Sequence, residues 1–123
     1  MLRMSIVVIA ALLVTGVVAF EDVDGSLAKL EPIDRATLVG AIDLHMNDGT
    51  STKIRNVRLV SENVYICGWI DSKNSFGAYV GYRRFILHMG SKVFLYDGNF
   101  HRGAEHLAAS TRRFIGAKCG QGS

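Results

Sequence analysis

The sequence predicts an α+β domain: an N-terminal helix, a four-stranded antiparallel meander and a C-terminal helix, closed by one disulfide. Three features predict it. Apolar residues recur at three- and four-residue steps towards both ends of the chain, a period of two dominates between those stretches, and the chain carries two cysteines, Cys67 and Cys119.

The first helix follows Pro32, the sole proline, with Leu38, Ala41, Ile42 and His45 or Met46 along one side. Asp34 charges its first turn favourably, and Asn47-Asp48-Gly49 is a turn cluster that ends it. From Lys53 the period becomes two, placing Arg55, Val57 and Leu59 on one face of a strand and Ile54, Asn56 and Arg58 on the other. Ser61-Glu62-Asn63 suits a tight connection to a second, more apolar strand over 64–71. A polar, glycine-bearing link over 72–78 leads to a long strand over 79–88, a turn at Met89-Gly90-Ser91 and a short strand over 92–96. Consecutive strands joined by short turns give a meander. Asp97-Gly98-Asn99 breaks the pattern, and Leu107, Thr111, Phe114 and Ile115 then mark a helix that ends near Gly116 and Gly120, with Cys119 just past it.

Residues 1–19 have the layout of an export signal: Arg3 in a short basic start, an apolar stretch over 6–18, and small residues before a cleavage point after Ala19. As a helix, about fifteen apolar residues reach roughly 22 Å, short of a bilayer core of about 30 Å, so no stable membrane span is expected once the signal is removed. The expected organisation is a signal peptide over 1–19, a flexible lead-in over 20–32 and a single α+β domain over 33–123. Cleavage leaves 104 of the 123 residues, enough for one modest core.

The chain carries 14 basic and 11 acidic side chains, and loss of Arg3 with the signal leaves a net charge of +2. So mild a balance argues against a nucleic-acid partner. An even cysteine count in an exported chain favours pairing of Cys67 with Cys119 in an oxidising compartment. The spacing holds no CxxC or HxxxH pattern, and no metal or other cofactor is expected. The expected location is the periplasm or the exterior of a bacterial cell.

The segment Arg55-Asn56-Val57, with the run from Cys67-Gly68 through Lys73-Asn74-Ser75-Phe76-Gly77 to Tyr79-Val80-Gly81-Tyr82, resembles a group of small exported, mostly uncharacterised bacterial proteins. These carry an R-N-V strand and a C-G-x-x-x-x-K-N-S-F-G-x-Y-x-G motif. The similarity covers residues 36–87 and is most specific over 73–81. It departs from the group's pattern where Ile70-Asp71-Ser72 replaces V-N-A and where Arg84 stands in place of a proline. The resemblance implies export and a shared architecture, and no catalytic role passes through it.

The best functional candidate is the polar loop itself. Lys73 can meet a carboxylate or phosphate, Asn74 and Ser75 can hydrogen-bond a ligand, and Phe76, Tyr79 and Tyr82 offer aromatic contact. The same residues also suit a structural role, with Asn74 and Ser75 bonding their own backbone and the aromatics filling the core. Basic residues gather at Lys53, Arg55 and Arg58 and at Arg83 and Arg84, but strict alternation splits each group between two faces. Trp69 is either an interface anchor or a core residue. The four histidines match no metal-helix spacing, and no G-x-S-x-G elbow accompanies them. The expected function is a non-enzymatic binding or interaction module for a protein or envelope component. Alternatives are a small envelope hydrolase and a structural accessory of an envelope complex.

Overall fold

The computed structural model describes residues 20–46, 51–74, 76–98 and 105–120. The expected signal peptide and Ser75 therefore lie outside the described residues.

The architecture is α+β, with two helices and a five-stranded mixed sheet. The strands are β1 (Glu21–Asp22), β2 (Lys53–Val60), β3 (Tyr65–Asp71), β4 (Arg83–His88) and β5 (Phe94–Tyr96). The helices are α1 (Pro32–His45) and α2 (Glu105–Cys119). Strands β2 to β5 form the expected antiparallel meander, while β1 adds a fifth strand parallel to β2.

That fifth strand corrects the expectation of a flexible lead-in. Glu21 and Val23 donate backbone hydrogen bonds to the carbonyls of Thr52 and Ile54. The Asp22 carboxylate accepts from the amides of Leu27 and Ala28, fastening a 3-10 turn at Leu27–Lys29. Leu27 and Leu30 are buried in the core. Composition hid this because the segment's polar side chains bind backbone groups, and its larger apolar residues, Phe20, Val23, Leu27 and Leu30, follow no regular period.

The strict alternation expected for β2 is also corrected. Arg55 pairs with Trp69 and Arg58 with Cys67, so Asn56 and Val57 together oppose Gly68 in a β-bulge. Asn56 takes φ +52°, a left-handed conformation that asparagine tolerates better than most residues. The bulge amides are satisfied from the lead-in: Asn56 donates to the Asp24 carboxylate at 2.8 Å and Val57 to the Ser26 hydroxyl at 2.7 Å. The extra residue shifts the phase by one. Ile54, Val57 and Leu59 thus pack into one core, while Lys53, Arg55 and Arg58 share the opposite face.

Helix α1 and the 3-10 turn cover the first face, over Ile54, Val57, Ile66, Ile70, Phe85, Leu87 and Phe94. Leu38 and Ile42, four residues apart, supply the helix's buried stripe. Gly68 is required here because the Phe85 ring lies against its Cα: a Cβ would meet Phe85 Cε2 at 2.7 Å.

Helix α2 covers part of the second face, where Ile115 and Cys119 pack on Cys67 and Ile86. The expected apolar side of this helix is only partly used, since Leu107 and Phe114 remain exposed. Cys119 is the last helical residue and forms the expected disulfide with Cys67, at a Cα separation of 5.9 Å. Beyond it, Arg58 donates to the Cys119 carbonyl at 2.7 Å and Arg84 to the Gly120 carbonyl at 2.9 Å. Both guanidinium groups sit where the helix dipole is negative.

The long strand expected over 79–88 starts only at Arg83. Gly81 at φ +104° turns the chain, and its amide is held by the Asp71 carboxylate at 2.9 Å. Residues 79–82 therefore belong to the loop. The last strand begins at Phe94 rather than Lys92, which takes φ +65° in the preceding turn.

Candidate functional site

The loop between β3 and β4 folds back on itself before rejoining the sheet. Lys73 and Tyr79 form an isolated antiparallel bridge, Asn74 donates its amide to the Ala78 carbonyl, and Gly77 donates to the Asn74 carbonyl. Asn74 Oδ1 accepts from the amides of Phe76 and Ala78 at 2.9 and 3.1 Å. The Asn74 side-chain oxygen is thus engaged in shaping the loop, a local side chain to backbone use typical of asparagine in turns. This hydrogen-bonded base projects Phe76, which is 92% exposed.

Two aromatic residues of the loop stand beside cations on the second face of the sheet. Lys53 Nζ lies 4.2 Å from the centre of the Tyr79 ring and Lys73 Nζ 5.5 Å from it. The Arg55 guanidinium lies 4.1 Å from the Tyr82 ring centre and 5.8 Å from that of Trp69. Such cation–π contacts contribute about 0.5–1 kcal/mol each at exposed sites. Arg84 sits across from Trp69 in the register, extending the basic array towards the end of α2. Burial, then the positive charge of nearby Arg84, lowers the pKa of Arg58 below its ordinary value. The carboxylate in this set, Asp71, pairs across the strands with Lys53 and holds the Gly81 amide.

On the other side of the loop, a cleft of about 250 Å³ opens between the end of α1, β4 and β5. Lys73, Asn74, Val80 and Gly81 form one wall, His45 and Met46 another, and Ile70, Ser72, Arg83, Tyr96 and Gly98 the rest.

Of the six residues singled out in the sequence, Tyr79 and Tyr82 meet on the cation–aromatic face, Lys73 borders both that face and the cleft, Asn74 shapes the loop and lines the cleft, and Phe76 stands at the tip. Ser75 lies outside the described residues. Sequence reasoning missed that Lys53 and Arg55 stand beside the loop's tyrosines, and that His45, Arg83 and Tyr96 converge on the cleft. The period of two already put Lys53 and Arg55 on one face, but nothing local told that the loop's tyrosines fold back over that face. No local signal marks the cleft either, which joins four separate segments.

Among the described residues, no group of three or more histidine, cysteine or acidic side chains is placed to hold a metal, and no helix is long and apolar enough to cross a membrane. No protein family, curated protein or solved structure matches the chain.

Proposed function

We propose that this protein is an exported, non-enzymatic binding module of the periplasm or cell exterior, recognising a protein or envelope component through the loop over 73–82 and the adjoining strands. One observation carries the reading: the aromatic rings of Tyr79, Tyr82 and Trp69 are interleaved with Lys53, Lys73 and Arg55 on the part of the sheet next to the loop. Flat rings supply contact area at little entropic cost, and the cations favour a partner that presents acidic groups. The fully exposed Phe76 adds an apolar anchor at the loop tip. The disulfide supports an oxidising compartment, in keeping with the export signal read over residues 1–19.

The test is affinity capture from envelope extract with the wild-type chain and two double variants, Lys73→Ala/Tyr79→Ala and Arg55→Gln/Tyr82→Ala. Each variant is first checked for an unchanged unfolding midpoint. Both are expected to lose the partners that the wild type retains, and wild-type retention is expected to weaken with added salt. Equal capture by all three proteins rules the surface out.

A further inference from the structure

The cleft on the opposite side of the loop has a composition that the cation–aromatic face does not explain. Arg83 and Tyr96 reach it from neighbouring positions of the sheet, Lys73 and Asn74 from the loop, and His45 from the last residue of α1. Among the described residues that line it there are two permanent cations and no carboxylate. Its remaining wall is apolar, with the fully buried Ile70 beside Met46 and Val80.

The polar groups are also oriented by bonds of their own. Arg83 donates to the Asp97 carbonyl at 3.3 Å, which leaves other guanidinium donors for a ligand. His45 Nδ1 donates to the Ala41 carbonyl at 2.9 Å, which fixes the ring at the end of α1. Ser72, nearly buried, shares a hydrogen bond with Thr52 that ties the cleft's base to the start of β2. Gly98 gives the Tyr96 ring its room, since a Cβ at that position would overlap the ring.

We propose that this cleft is a binding site for a small organic anion, with a carboxylate or phosphate head met by Arg83 and Lys73 and a short apolar body resting on Ile70, Met46 and Val80. The size argues for a small ligand, because sites for drug-sized molecules usually occupy about 300–1,000 Å³. The charge argues for an anion: Lys73 and Arg83 both line the cleft with no lining carboxylate to balance them, and an oxyanion supplies that balance. The apolar wall argues for an organic body rather than an inorganic ion. Lys73 borders both this site and the proposed partner surface, whereas Arg83 lines only the cleft and Arg55 and Tyr82 belong only to the partner surface, so Arg83→Gln and Arg55→Gln separate the two readings.

The experiment is amide chemical-shift titration of the full chain with butyrate, butyl phosphate and the neutral isostere butyramide. At least one of the two anions is expected to shift the amides of Ser72, Gly81, Arg83 and Tyr96 saturably, while butyramide binds about tenfold or more weakly. Arg83→Gln is expected to weaken anion binding by about tenfold or more, the loss that follows from one charge-assisted hydrogen bond. Lys73→Gln serves the same purpose if Arg83→Gln disturbs the spectrum as a whole, and Arg55→Gln is expected to leave the anion titration unchanged. Equal binding of butyramide and the anions, no saturable shift with either anion, or equal weakening by Arg55→Gln and Arg83→Gln overturns the proposal.

Discussion

Reduction of the disulfide is expected to release the C-terminal helix before the sheet unfolds. Cys67 and Cys119 are 52 residues apart, and on the chain-entropy model a loop of that length is worth about 4 kcal/mol. At about 4–8 °C per kcal/mol for a domain of this size, the unfolding midpoint of the reduced protein should fall by roughly 15–30 °C. The effect should concentrate in α2, because its own grip on the sheet is slight. Its fully buried apolar side chain is Ile115, whose burial contributes about 1.5–3 kcal/mol, while Leu107 stays half exposed and Phe114, against the Tyr65 ring, 37% exposed. A helix of 15 residues is marginal by itself, so without the bridge these contacts barely offset the entropy of docking it. Reduction is the cleaner perturbation, since the two thiols still fill their buried positions and only the crosslink is lost. Thermal unfolding with and without reductant measures the magnitude, and amide hydrogen exchange locates it. Midpoints that agree within about 3 °C, or α2 amides that remain as protected as those of β3 after reduction, would refute the reasoning.

Two further perturbations test the fold where it positions the site. Gly68→Ala places a methyl against the Phe85 ring and is expected to cost about 1–3 kcal/mol in denaturant unfolding, with part of the loss recovered in a Gly68→Ala/Phe85→Leu double variant. Asp24 tests the anchor of the bulge. Burial raises its pKa, but hydrogen bonds from the Ser26 side chain and the amides of Asn56 and Ser26 outweigh that effect, leaving the carboxyl below its ordinary 3.8. A depressed folded pKa means that the carboxylate's contribution is present above the unfolded value and fades as pH falls through the folded one. Asp24→Asn is therefore expected to be less stable than wild type at pH about 6, with the gap in urea midpoint narrowing below pH about 4. A gap that widens in acid would contradict the assigned direction.

The sequence alone determined the elements whose signal is local. The 3.6-residue spacing of Leu38 and Ile42 marked α1, turn residues separated the four meander strands, and the cysteine pair anticipated the bond from β3 to the end of α2. Each of these rests on interactions between near neighbours in the chain, or on redox chemistry that does not depend on shape. Tertiary structure decided what depends on distant partners. Asp24 and Ser26 lie about thirty positions before the bulge they satisfy, and only in the folded chain do they make a left-handed Asn56 affordable. That one inserted residue carries Arg58 to the face of Lys53 and Arg55, because side chains on a strand alternate and a shift of one reverses every position beyond it. The cleft likewise exists only after His45, Lys73, Arg83 and Tyr96 have been brought together from separate elements. Periodicity reports which side chains one element buries, and it carries no information on which elements later come to share a wall.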